Sequence, residues 1–492
     1  MLSLSLAVAV IAGCAANGTR QAELDRIQHI VVIYAENRSF DHLYGSFPGA
    51  EGVAQASAEQ KTQLDRDGKP LAHLPATYSG GKVVAKLPTA GLPNGPFRID
   101  APPINGRFDE VLLSPWHLYY QNREQIAEGK NNQFVALADV GAWVMGYFDG
   151  SKMKMWKWAQ EYTLADHFFM GAFGGSFLNH QWLICACTPI DPNAPAATRP
   201  RLDAQGKLVR KPNSPKSVVD GPVELFDGRV TPDGYVVNTS QPPYQPSGIP
   251  PAAGAFDFAD AAKHPVPPQT AKTIGDTLSA KAVSWAWYSG GWDAALADGR
   301  RDPAAKREVI YARDADSPMF QAHHQPFNYQ ARFAPGTADR AAHLKDEKEF
   351  LTAIDAGTLP QVAFFKPAGR YSEHPGYTDV MSGDEHIDMI LTRLKKSPQW
   401  EHMAVIVTYD ENGGFWDHLP PPSGTGWGDR WGPGSRIPTM VISPYARRGY
   451  VDKTPYDTTS ILKLITKRFG LEPLPGVRAN AGDLTGAFNF AP

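Results

Sequence analysis

Two stretches of the chain carry apolar, mostly β-branched residues without the alternation of a half-exposed strand: residues 27–34 (IQHIVVIY) and 403–409 (MAVIVTY). Each predicts a short strand buried on both faces, as in a parallel sheet. The first ends at Glu36-Asn37 and the second at Asp410-Glu411. Fainter strand patterns lie at 282–288, 362–365 and 439–443. One apolar stripe, Ile387, Ile390, Leu391 and Leu394 at i, i+3, i+4 and i+7, predicts a helix over 383–396, with Ser382 and Glu385 as a capping-box pair. Helical patterns over 340–356 and 459–469 close on Gly357 and Gly470. Strands separated by helices in this way predict βαβ units and an α/β fold around a mostly parallel sheet.

Residues 188–269 break the pattern, being dense in Pro, Gly and Asp with no sustained apolar period. They predict an insertion draped over a single catalytic domain, 21–492, and not a second core. No repeat of fixed period is visible. The 45 Gly and 43 Pro among 492 residues therefore mark long shaped loops, since 42% hydrophobic and 20% charged residues are ordinary for a globular chain. A formal charge of −3 leaves no single-sign field suited to nucleic acid. No internal run is apolar for long enough to span a bilayer.

Residues 2–13 are apolar or small, and Cys14 follows Ile11-Ala12-Gly13. Such a run suits the h-region of a secretory signal, 1–13, better than a spanning helix. The tetrad resembles a bacterial lipobox, which implies that Cys14 is the lipidated mature first residue, attaching the protein to a membrane, and Ala15 fits outer-membrane sorting. The first basic residue is only Arg20, and the alternative is a plain secretory signal. Both readings predict export, to the periplasm, the outer membrane or the medium. Cys185 and Cys187 are expected as buried free thiols, because on a helix Cβ atoms two positions apart diverge.

The chemistry sits at the strand ends. Side chains just beyond the carboxyl ends of parallel strands share one crevice, so Glu36, Asn37, Asp410 and Glu411 are expected to meet there. Three carboxylates and an amide offer only oxygen, which suits a hard divalent cation; taken singly, such residues serve as turn or cap residues. In Phe173–His180 (FGGSFLNH) two glycines precede Ser176, and a helix running to about residue 186 puts its hydroxyl at a helix N-terminus, where an anion is favoured. There Ser176 is either an N-cap or, beside a metal, a nucleophile. Histidines recur in unusual company at His117, His323-His324, His374 and His418, and imidazoles stabilise and protonate transferring phosphoryl groups. His42, His73, His264 and His402 are expected to be structural or surface residues.

IVVIYAENRSFDHLYGSFPG, AFGGSFLNH, HHQPF, EHPGY and TYDENGGFWDHLPPP, in this order and spacing, resemble the bacterial phosphoesterase branch of the alkaline phosphatase superfamily over residues 27–469. That branch holds secreted acid phosphatases and phosphatidylcholine-type phospholipases C. The resemblance implies a three-layer αβα sandwich with loop insertions. It implies Ser176 as nucleophile and a single divalent ion on Glu36, Asn37, Ser176, Asp410 and Glu411. Oxygen ligands favour Ca²⁺, Mg²⁺ or Mn²⁺ without forbidding Zn²⁺. His117, His323, His324 and His374, with Asn179, are then expected to face the substrate, and His-liganded two-zinc chemistry is the poorer model. The expected activity is hydrolysis of phosphate monoesters through a phosphoserine, at acidic pH if an imidazolium is the acid. Phospholipase C action on phospholipid headgroups is the alternative; large members of that group carry extra carboxy-terminal domains, and the short run beyond Asp410 favours the phosphatase. A surface lipoprotein that binds a phosphorylated ligand without turnover is the remaining rival.

Overall fold

The computed structural model describes residues 21–491. The signal, the lipobox and Cys14 lie outside the described residues.

Eight strands form the main sheet: β1 (His29–Ala35), β2 (Thr163–Ala165), β3 (Trp285–Ser289), β4 (Leu344–Asp346), β5 (Val362–Lys366), β6 (Met403–Tyr409), β7 (Thr439–Ile442) and β8 (Tyr450–Asp452). Their order across the sheet is β8-β2-β7-β6-β1-β5-β3-β4. Only β7 runs against the rest, pairing antiparallel with β6 and β2. The two strongest sequence signals, β1 and β6, are neighbours at the centre, and every residue of β6 is buried. Strands covered on both faces need no polar alternation, which is why these two were the easiest to read.

Seven helices position the site or cover the sheet: α1 (Phe40–Tyr44), α2 (Tyr119–Ile126), α3 (Lys154–Glu161), α4 (Ser176–Cys185), α5 (Glu347–Ala356), α6 (Val380–Lys396) and α7 (Thr458–Phe469). Consecutive residues of β5 show the layering, since neighbours on a strand point to opposite faces. Phe364 stacks on Trp287, whose ring lies 6.2 Å from His180 of α4. Phe365 stacks on Phe350 of α5 at 4.6 Å and lies near His386 of α6. The result is a three-layer αβα arrangement, with α4 and α7 on one face and α5 and α6 on the other.

Several boundaries differ from the sequence pattern. The helix expected over 340–356 is interrupted: a short helix, Ala338–His343, leads into β4, and α5 begins at Glu347. Asp346 and Glu349 form the capping box that restarts it, while Leu344 pairs with Trp287 at the sheet edge. The helix α6 starts three residues early, capped by Asp379; Ser382, expected as the cap, instead donates its N–H and hydroxyl to the Asp379 carboxylate at 2.7 and 2.8 Å. A carboxylate accepts both, so it displaces the serine. Strands β2, β4 and β8 have three residues each, too few for a periodic signal.

The expected free thiols are instead a Cys185–Cys187 disulfide. Cys185 ends α4, and Ala186 adopts a left-handed conformation. Cys187 therefore leaves the helix, and its side chain turns back with Cα atoms 5.1 Å apart.

Between 188 and 269 the chain makes only single turns of 3₁₀ helix and isolated bridges. It is nonetheless tied down: Asn238 accepts the Tyr119 N–H at the head of α2, and Arg66 donates to the carbonyls of Pro215, Ser217 and Gly221. Among the described residues no helix is long and apolar enough to cross a membrane.

Candidate active site

Strand register brings the acidic residues together. Parallel pairing of β1 with β6 runs from His29↔Met403 to Ala35↔Tyr409, so Glu36-Asn37 and Asp410-Glu411 leave the sheet side by side. The Asp410 N–H donates to Ala35 O at 3.1 Å, and the Asn37 N–H donates to Asp410 Oδ1 at 3.2 Å. Asn37 is in the left-handed region (φ 52), where asparagine is tolerated better than most residues. Gly413, also left-handed, closes the second loop over it; a Cβ there would lie 2.3 Å from Asn37 O.

Ser176 comes from the helical layer. Gly174 (φ 88) approaches α2 so closely that an added Cβ would stand 2.6 Å from Tyr119 N. The chain then enters α4 with Gly175 as N-cap and Ser176 as the first helical residue. The free N–H groups of this first turn and the helix dipole favour an anion.

Ser176 Oγ lies 3.1 Å from Glu36 Oε2, 3.2 Å from Asn37 Oδ1 and 3.3 Å from Glu411 Oε1. One hydroxyl hydrogen cannot serve three acceptors. Asp410 Oδ2 is buried without a partner. Glu36, Asp410 and Glu411 have no solvent exposure, and burial raises all three carboxyl pKa values, with the Asp410 charge raising Glu36 and Glu411 further. Five converging oxygen-bearing side chains, an orphaned carboxylate oxygen and three acids that resist ionising together fit a divalent cation.

The predicted histidines surround this centre. Asn37 Nδ2 donates to His117 Nε2 at 3.2 Å and to His374 Nε2 at 3.0 Å, while their Nδ1 atoms are held by Pro115 O and Pro375 O. His323 Nδ1 is bonded to the Tyr311 hydroxyl at 2.7 Å, and the His323 and His324 rings meet edge to face at 4.2 Å. Burial lowers the pKa of all four, pushing His323 down to about 3. Burial thus favours the neutral imidazole at each of the four. Arg38 donates through Nε and Nη2 to Glu373 O and so holds the turn that carries His374.

Asn179, expected to face the substrate, does not. Its amide accepts from Ala172 N and donates to the carbonyls of Ala172, Gly174 and Gly175, bracing the turn into α4. His418 belongs to a separate buried group with Asp41 and Asp417, whose carboxylates are bridged by Arg436 at 3.1 and 2.7 Å. His73, His264 and His402 are exposed, and His42 is buried, donating from Nδ1 to Gly146 O.

Two site residues were not read from the sequence. His180, one turn after Ser176, donates from Nδ1 to Ser176 O at 2.8 Å and stacks on His324 at 4.7 Å. Lys366, the last residue of β5, bonds Glu36 Oε1 and donates to Tyr34 O. His180 was detectable from its i+4 spacing to Ser176; Lys366 ends an apolar strand, and nothing in its neighbours marks it.

A family model described as Phosphoesterase family matches residues 27–472. The chain is 24% identical over 505 residues to the non-hemolytic phospholipase C of Pseudomonas aeruginosa, covering 96% of this chain and 58% of that protein. It is 27% identical over 511 residues to phospholipase C A of Mycobacterium tuberculosis, covering 96% of this chain and 79% of that one. Among solved structures, a protein in the alkaline phosphatase superfamily from Vibrio parahaemolyticus aligns over 75% of this chain and 67% of its own, with 11% identity and a TM-score of 0.33.

Proposed function

Because the chain belongs to the phosphoesterase family, we propose that it hydrolyses phosphodiester headgroups of phospholipids, as a phospholipase C, with Ser176 as the nucleophile. It is a phosphoric ester hydrolase, so the reading as a non-catalytic binding lipoprotein is set aside. What carries the mechanism is the Ser176 hydroxyl at the head of α4, inside a ring of Glu36, Asn37 and Glu411 oxygens. What moves the choice from monoester to diester is that the relatives are named phospholipases C.

A divalent ion on Glu36, Asn37, Ser176, Asp410 and Glu411 would lower the pKa of the serine hydroxyl and neutralise phosphoryl oxygens. Ser176 gives its proton to one of the surrounding imidazoles and attacks phosphorus in line; the P–O bond to the leaving lipid alkoxide breaks, and Ser176 carries the phosphoryl headgroup as a seryl phosphodiester. The α4 N-terminus binds the anionic oxygens. Among His117, His323, His324 and His374, the imidazole that takes the serine proton is held as imidazolium by the bound anion, donates to the phosphoryl group and returns the proton to the leaving oxygen. Water then attacks the seryl phosphodiester with the same groups acting in reverse, and the phosphorylated headgroup is released. Trp116, beside His117 in the chain and 46% exposed, supports work at a lipid surface, where indole rings favour the interface.

Phosphate monoesters are the second reading. Ser176 is only 3% exposed and His374 only 6%, and so recessed a centre admits a terminal phosphoryl group more easily than one esterified on both sides. Export completes the proposal: a Cys185–Cys187 disulfide is at home in an oxidising compartment, and residues 1–14 would supply the signal and, at Cys14, a lipid anchor. Purified protein is to be assayed on phosphatidylcholine vesicles, nitrophenylphosphorylcholine and nitrophenyl phosphate, with Ser176→Ala as control. Diester turnover lost in the variant is expected; turnover of the monoester alone would replace this reading with the second.

A further inference from the structure

Glu36 faces two ways. Its Oε2 lies toward Ser176 Oγ at 3.1 Å, on the side of the five oxygen donors. Its Oε1 lies toward a second group: His324 Nε2 at 3.3 Å, His180 Nε2 at 4.0 Å and the ammonium of Lys366. The carboxylate and the two imidazole nitrogens lie within 4.8 Å of one another, a donor set of the kind that holds a metal. Both imidazole nitrogens are buried without a hydrogen-bond partner. His180 cannot turn away, because its Nδ1 is committed to Ser176 O. What stands beside Glu36 Oε1 is Lys366, anchored from behind by Tyr34 O at 3.0 Å and almost fully buried.

We propose that Lys366 is the site's second cation, a side chain occupying the position where Glu36, His180 and His324 would otherwise bind a second metal ion. This rests on the single-ion reading of the oxygen donors given above. The charges agree: the three carboxylates Glu36, Asp410 and Glu411 are balanced by one divalent ion and one ammonium, whereas two divalent ions would leave an excess. The same device recurs nearby, where the guanidinium of Arg436 fills the other buried acid–imidazole group, Asp41, Asp417 and His418. Lys366 is thus a positioning residue. It holds Glu36 with Oε2 turned to Ser176, and it leaves His324 unliganded and able to serve the substrate.

The test is metal stoichiometry. Wild type, Lys366→Met, Lys366→Gln and the Lys366→Met/His180→Ala double variant are stripped with chelator, checked for folding by circular dichroism, and titrated with Zn²⁺ and Mn²⁺ by calorimetry and elemental analysis. Wild type is expected to bind one ion. Either lysine variant is expected to bind two Zn²⁺, and the double variant one again. A wild type that binds two ions, or folded lysine variants that still bind one, would overturn the proposal while leaving the phosphoesterase reading intact. A wild type that binds none would overturn the metal reading itself, and this proposal with it. Should the lysine variants fail to fold, His180→Ala alone decides: it is expected to keep the single ion, and loss of that ion would make His180 a native ligand and sink the idea.

Discussion

The backbone N–H of Asn37 donates to Asp410 Oδ1 at 3.2 Å, binding together two loops 373 residues apart in the chain. A carboxylate proposed to hold a cation is therefore also a structural acceptor, and substitution by asparagine separates the two roles.

Asp410→Asn keeps an oxygen for the Asn37 and Glu411 N–H groups but removes one of three crowded buried charges. In chelator, where those charges repel, the variant should melt a few degrees higher than wild type, each kcal/mol being worth about 2–4 °C in a domain of 150–250 residues and less in a chain this long. With saturating metal the order should reverse. Differential scanning calorimetry in both conditions checks the crossing, and parallel shifts would contradict it.

Ser176→Ala should lower kcat by about 10⁴-fold or more, the scale seen when a nucleophile is removed, with secondary structure unchanged. Rapid acid quench and peptide mass spectrometry of wild type acting on a choline diester should place phosphorylcholine on Ser176. The same adduct on another residue would reassign the nucleophile.

Asn37→Asp retains an oxygen for the cation but loses the N–H groups that reach His117 and His374 at 3.2 and 3.0 Å. Metal affinity should hold or rise while kcat falls by roughly 10²-fold, as for loss of a positioned acid–base group. A variant with unchanged kcat would mean that these imidazoles need no help from Asn37.

His42 gives a pH prediction away from the metal donors. Burial first, then the Arg38 charge, lowers its pKa well below 6.5 in the folded protein; Nε2 accepts from Arg38 while Nδ1 donates to Gly146 O. A depressed folded pKa means that the unfolded chain binds the extra proton. The stability this contributes is present above about pH 6.5 and is lost as pH falls below it, by up to about 1.4 kcal/mol per pH unit. Urea denaturation of wild type and His42→Gln between pH 7.5 and 5 should show a shallower acid loss in the variant, whatever its absolute stability.

The sequence was most informative where burial is two-sided and chemistry lies at a strand end. Residues 27–34 and 403–409 showed both, and the residues at their ends leave the sheet side by side. Histidines 117, 323, 324 and 374 were visible through their neighbours. Asn179 is not free to face a substrate, because the tight Gly174-Gly175 turn claims its whole amide. Lys366 escaped because its partner, Glu36, is fixed only by sheet register. The disulfide escaped because it depends on one left-handed residue, Ala186, which no local pattern announces. The small strands β2, β4 and β8 are made by their neighbours and carry too few residues for any period.

The central pairing of β1 with β6 also sets an order of events in the life of the chain. A ribosome makes Glu36 early, Ser176 next and Asp410 near the end, and β1 has no partner for its inner edges until β5 and then β6 have been synthesised. Until that late moment the growing polypeptide has a serine and a carboxylate but no crevice to hold them. A chain truncated before β6 lacks Asp410 and Glu411 and cannot assemble the ring of oxygens around Ser176.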